Sequence, residues 1–543
     1  MHGPPRRGSR QQIARGFIGL FCSFWLASCG HARIGSQHNG ALVIAIAADP
    51  VSLNPLYLQG YDAGMIGGLT GSYLTTYDGR GGIVPGIAVS APTPENGGIS
   101  RDGRSITYHL RHDVAWQDGT PLTTRDVLFT YHAIMSPSNA VLSRYGYDHV
   151  AGVDAPSPYT VIVRLKQPYA PIISIFFGGD SNYTILPAHL FAGYTNLDRV
   201  AYNTAPIGSG PYRVTAWRHS DRIELEASSR YYGGRPAIAR IVLRAVPDST
   251  TILNQLSTGE VDATFLADAS KMAAYARLAN HRAVITPGPY YTTLTFNVTD
   301  PLLKDVAIRK AMAMAVDRRT IVTKIFHGVD DPDTGMRGLF NWAYDPTAGK
   351  LTYDPLAARA LLQRDGWSAA PDGIRLKHGR RLQVQVIYQG TTKVEPPSVL
   401  LIAQQERDIG IDVNIKSYPG QVMFALDGPL YRGRYQVSLL GFQSQIDPDA
   451  SWMISCAQRA PNGFNWARYC NPAVERALRR GYSVYDRAAR RREYSFVQRQ
   501  LLEDMPYAFL WQRSEVDVIP TQLKGFMPPA YLSAYASSAG WHW

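Results

Sequence analysis

Twice along this chain a β-branched apolar run, a helical stretch and a second β-branched run follow in close succession. The first set is "IARIVLRAV" (238–246), "DSTTILNQLSTGE" (248–260) and "VDATFL" (261–266). The second is "RLQVQVIY" (381–388), a helix through about 396–408 and "IDVNIKSY" (411–418). Strands joined by a helical crossover pair in parallel, whereas antiparallel neighbours need only a tight turn. Parallel sheets are covered by helices, so an α/β fold is expected. Two such regions in one chain of 543 residues suggest two lobes around a cleft. "YQVSLLGF" (435–442) reads as a further strand of the second region. Ligands of open α/β sheets gather beyond the carboxyl ends of the strands. The stretch after that strand, "GFQSQIDPDASW" (441–452), is therefore the first place to look for a site.

The remaining punctuation is consistent with this reading. "TTRDVLFTYHAI" (123–134) has a Thr cap before apolar residues at helical spacing. "DPLAARALLQRDG" (354–366) has Asp as N-cap, Pro at the first helical position and Gly beyond the end. "DVAIRKAMAMAV" (305–316) is a periodic helix, with Asp317 able to cap the next. "ALVIAIA" (41–47), "RSITYHLR" (104–111) and "YTVIVRL" (159–165) read as strands, and "GPYRVTAWRHSDRIELEA" (210–227) as a hairpin turning near His219, Ser220 and Asp221.

Composition excludes several classes. Hydrophobic residues make up 45% and charged residues 18%, which is globular rather than disordered. The net charge of +12 is dispersed without a dense Lys/Arg block, so no nucleic-acid partner is expected. The chain has no G-x-S-x-G, H-E-x-x-H or P-loop pattern, and an enzyme is not expected. Asp447 and Asp449 are too close in sequence for a typical glycosidase pair, which comes from separate elements. "DDPDTG" (330–335) lacks calcium-loop spacing, and the histidines of "WHW" (541–543) and "LRHD" (110–113) are scattered. Neither cofactor nor metal is expected.

The N-terminus carries Arg6, Arg7, Arg10 and Arg15, then the apolar run "GFIGLFCSFWLA" (16–27). That run is too short to span a bilayer and reads as an export signal. "LASCG" (26–30) resembles the lipobox of bacterial lipoproteins. The resemblance implies a signal over 1–28, lipidation of Cys29 and a polar tether over 29–40. Cys22 would leave with the signal, so Cys456 and Cys470 remain. Two cysteines close together in an exported chain suit a disulfide. A metal pair is the alternative, but no other cysteine or histidine lies nearby.

Longer stretches carry a wider resemblance. They are "ADPVSLNPL" (48–56), "LRHDVAWQDGTPLTTRDVLFTY" (110–131), "IGSGPYRV" (207–214), "LSTGEVDA" (256–263), "LTFNVTDPLLKDVAIRKAMAMAVDR" (294–318), "DPLAARALLQRDGW" (354–367), "DPDASWMISC" (447–456) and "NGFNWARYCNPAVERAL" (462–478). In this order they resemble the extracytoplasmic solute-binding proteins of peptide-type ABC importers, which include dipeptide-, oligopeptide- and nickel-binding proteins. The resemblance covers nearly all of the chain after Cys29. It implies a two-lobed periplasmic-binding-protein fold with two hinge-crossing segments and an extra α+β subdomain on lobe I. Lobe I would comprise 41–75, 205–290 and 510–543, the extra subdomain 76–204, and lobe II 291–509. The crossings would fall near 290–297 and 507–512. It also implies a monomer that captures a peptide or small polar solute and works with membrane permease subunits, held at the outer face of a bacterial membrane or in the periplasm by the lipid on Cys29.

For the site, the resemblance points to Gly441, Phe442, Gln443, Ser444, Gln445 and Asp447 at the strand end, with Ser52 on the opposite wall. In peptide binders of this kind the matching segment carries an aspartate that pairs with the peptide ammonium. Here the segment is shorter by about one residue, and Ser444 or Gln445 falls at that place. A neutral amide lacks the charge assistance that roughly doubles hydrogen-bond strength. Peptide remains the first expectation, with opines, oligosaccharides, metal chelates or a sensing role as alternatives. Asp447 could instead shape a turn, since Asp-Pro-Asp is good turn chemistry.

Overall fold

The computed structural model describes residues 40–543 except 59–60, 79–80, 142, 334, 391–393 and 528–533. The export signal, Cys29 and nearly all of the tether lie outside the described residues.

Among the described residues, eleven strands form one sheet that runs through both lobes. From one edge its order is 412–418, 383–389, 437–443, 281–296, 507–520, 263–264, 41–46, 240–245, 222–227 and 212–218, with Asp331–Pro332 added beside 507–520. The second crossover is as expected: Gln383–Gln389 and Asp412–Tyr418 are parallel neighbours, linked by the helix Glu395–Asp408. The first differs in one respect. Arg240–Ala245 and Ala263–Thr264 both run parallel to Ala41–Ile46, which lies between them. The crossover steps over a strand from much earlier in the chain. Ladder pairing of the expected 261–266 strand is confined to Ala263–Thr264.

Local signals set the helix starts. Asp248 accepts the Thr251 N–H at 2.7 Å, and that helix ends at Gly259 with φ +76°, a left-handed stop that glycine takes without a Cβ clash. Asp354 accepts from Ala357 N at 2.8 Å, ahead of Pro355. Asp317 accepts from Thr320 N at 3.0 Å, and the Asp126 carboxylate reaches back to Thr123 N at 2.8 Å. Each satisfies a donor that the first helical turn leaves open.

Two long antiparallel strands, His281–Phe296 and Tyr507–Pro520, join the halves of the sheet. Their register runs from His281 opposite Pro520 to Pro287 opposite Ser514. It shifts and resumes at Tyr291 opposite Gln512. Gly288 sits in this break, and a Cβ there would come within 2.9 Å of the Arg513 carbonyl. Apart from the large sheet, Ser105–His109, Thr160–Leu165 and Val150–Ser157 form a small antiparallel sheet beside the helix Thr124–Met135. Their shared core holds fully buried Trp116. The molecule is a two-lobed α/β protein that also carries this separate α+β region.

Candidate functional site

Along Val437–Gln443 the side chains alternate, as a pleated strand requires. Val437 to Leu440 are buried on both faces, and only at the end does one face open, with Gly441 and Gln443 exposed and Phe442 between them buried. Phe442 stacks on Tyr291 of the neighbouring strand, with ring centroids 5.8 Å apart. The ladder stops at Gln443 opposite Tyr290. There Ser444 turns the chain, its N–H and hydroxyl donating to the Pro289 carbonyl at 2.7 and 2.8 Å. Ser444 is thus buried against the register break of the crossing strand.

After the turn the backbone meets the α+β region. The Asp180 carboxylate accepts N–H bonds from Ile446 at 3.0 Å and Asp447 at 3.2 Å, plus the Tyr77 hydroxyl at 2.7 Å. Burial pushes this carboxyl above the usual range, while Tyr77 and the two amides work in the opposite direction. Asp447 itself is held by Arg490 through two bonds of 2.7 and 2.6 Å, with both side chains about 95% buried. Burial works against the Arg490 charge, but Asp447 and Tyr494 outweigh it and raise its pKa. The Asp447 carboxylate also accepts from Asp449 N at 3.0 Å. Asp449 takes the backbone and hydroxyl donors of Ser451, yet burial pushes its carboxyl up to about 6.

Two cavities flank the Asp180 contact. The larger, about 520 Å³, lies on the side of Tyr77, Asp447 and Arg490. Pro92 and Pro94 wall it, as does Trp342, over which Arg487 and Arg490 sit at 4.2 and 5.3 Å. The smaller, about 210 Å³, lies at the strand end, where Gln443 and Gln445 face Tyr145, Asn182 and Tyr183. Trp452, Gln458 and Phe464 complete its wall. The last two belong to the loop closed by a disulfide between Cys456 and Cys470, whose Cα atoms are 4.7 Å apart.

Of the residues expected at the site, Gln443 and Gln445 line the smaller cavity and Asp447 the larger. Gly441, Phe442 and Ser444 line neither. Ser52 is buried elsewhere, accepting from Asn54 N at 3.1 Å and facing the Asn203 carbonyl at 3.5 Å. The choice posed for Asp447, ligand or turn, omitted its partner 43 residues away. Gln458 and Phe464 could have been suspected from their place between the two cysteines. Tyr145 and Asn182 had no local signal tying them to the strand end.

Three comparisons bear on this geometry. Residues 82–463 match the model of bacterial extracellular solute-binding proteins, family 5. The chain is 29% identical over 511 residues to protein XP55 of Streptomyces lividans, covering 90% of this chain and 88% of that one. It is 25% identical over 496 residues to the oligopeptide-binding protein AppA of Bacillus subtilis, covering 90% and 89%. Its fold is similar to that of NikZ from Campylobacter jejuni, solved with Ni(L-His), at TM-score 0.75 and 24% identity, covering 93% of this chain and 99% of that one.

Proposed function

Because the chain belongs to the family 5 bacterial extracellular solute-binding proteins, we propose that its lobes close on a small polar solute at the end of strand 437–443 and present it to an ABC permease. The observation that carries this reading is the Asp180 contact. A carboxylate of the α+β region takes two backbone N–H groups of the segment leaving that strand, and a cavity lies beside the contact. Such a contact forms when the two parts meet and is lost when they separate. A solute touching both walls binds the closed form better and draws the equilibrium toward it. Closure also removes water and strengthens each polar contact inside.

The register break at 287–291 and the facing Ser514 are the proposed bending point. Gln512 bonds the Gly288 carbonyl at 2.8 Å across it, which supports a defined closed state. Export, cleavage before Cys29 and lipidation there would hold the receptor near its permease, as a monomer. A single acyl chain gives only marginal anchoring, so stable retention needs more than one. The described residues contain no helix long and apolar enough to cross a membrane.

Small-angle scattering with a melting screen tests the proposal. A solute at one hundred times its dissociation constant should add about 2.7 kcal/mol to stability and reduce the radius of gyration. One unchanging shape with saturating peptides, sugars, opines and metal chelates would refute closure.

A further inference from the structure

Resting on that reading, we infer that the smaller cavity selects an uncharged, hydroxyl-rich solute of the saccharide type over a charged peptide. The chemistry of its lining carries the inference. The side chains of Gln443, Gln445, Gln458 and Asn182 converge on it from three separate segments. None of these carboxamides makes a side-chain hydrogen bond within the described protein, although the backbone carbonyl of Gln445 accepts from Asn341 at 2.9 Å. Each carboxamide offers two donors and an acceptor. A set of them suits a ligand whose own groups both donate and accept, as hydroxyls do.

Basic side chains are missing from the same lining, and its acidic group is already engaged. Among the described residues no Lys, Arg or Glu borders this cavity. Its one carboxylate, Asp180, already accepts from Tyr77, Ile446 and Asp447. Nearby Arg144 is committed to the carbonyls of Ile134, Ser136 and Asn139. A peptide brought here would leave its ammonium and carboxylate without a free opposite charge, and a buried unpaired charge is heavily penalised. The aromatic members point the same way. Trp452 is half-buried and Phe464 is 52% exposed at the rim. An aromatic face carries partial negative charge and suits the polarised C–H face of a sugar ring. The volume of about 210 Å³ equals about seven waters at roughly 30 Å³ each. That accommodates a compact ring, or one end of a longer chain running out past Phe464.

Isothermal titration of the mature protein with cellobiose, maltotriose, galacturonic acid and trialanine tests this directly. A neutral sugar should bind at least about tenfold more tightly than galacturonic acid or trialanine. Gln445→Ala and Phe464→Ala should each weaken that binding about tenfold while leaving the melting temperature of the free protein unchanged. Tighter binding of trialanine or galacturonic acid, accompanied by closure in scattering, overturns the neutral-solute inference and leaves the receptor reading intact. Sugar binding indifferent to both substitutions also overturns it. No response to any of the four solutes counts against it, and the wider scattering screen then decides the receptor reading separately.

Discussion

Residues 441–445 and 446–451 are consecutive, yet the protein uses them in opposite ways. The first part ends a strand and presents to a cavity the Gln443 and Gln445 carboxamides, which have no side-chain hydrogen bond among the described residues. The second part is tied down on every side: Ile446 and Asp447 to Asp180, Asp447 to Arg490, and Asp449 to Ser451. The acidic residues, which look most like a binding site in the sequence, are the ones already satisfied by the protein. The neutral amides are the ones left open. The buried ion pair engages the Asp447 charge within the protein.

Substitutions can break or sharpen this contrast. The largest expected effect is at Arg490. Arg490→Ala leaves the Asp447 carboxylate buried and unpaired, and should lower unfolding stability by about 3–5 kcal/mol in denaturant titration. Replacing both partners by apolar residues, Arg490→Met with Asp447→Leu, should recover most of that loss. If it does not, the pair contributes more than mutual neutralisation. A smaller effect is expected where the open part is braced. Replacing Cys456 and Cys470 by serine, or reducing them, frees the loop bearing Gln458 and Phe464. The chain-entropy model gives about 3 kcal/mol for a loop of this size, read as a change in denaturation midpoint with and without reductant.

The smallest effect concerns pH. The Asp449 carboxyl is pushed up to about 6 from an ordinary value of 3.8, so the folded protein binds a proton more readily than the unfolded chain. Its contribution to stability is fully present below about 3.8 and is lost as pH rises through about 6. Asp449→Asn should flatten that part of the melting-temperature profile and raise stability at pH 7.5 by on the order of 1 kcal/mol. An unchanged profile would mean that another buried acid governs it.

How far the sequence could be read follows from the range of each interaction. The caps at Asp248, Asp317 and Asp354 each bond a residue three positions away, so composition over one turn revealed them. The parallel pair 383–389 and 412–418 followed from its connecting helix. The insertion of Ala41–Ile46 between 240–245 and 263–264 did not. Nothing within that crossover says which distant strand will enter it. At the site, Gln443 and Gln445 were reached through the strand end and the family pattern. Ser52 was carried over by resemblance to an opposite wall and is instead bonded beside Asn203. Asp180 went unnoticed because its role depends on meeting a segment more than 260 residues later.

The sequence alone determined many of the elements, the parallel crossovers, the two-lobed class and the family, since these are written in periodicity, capping residues and ordered motifs. Tertiary structure alone decided which polar groups at 441–451 are satisfied and which stay open. Whether a buried carboxylate finds an arginine, or a carboxamide finds nothing, depends on side chains brought together from distant parts of the chain. Burial makes that difference count, because it raises the cost of a charge left without its partner.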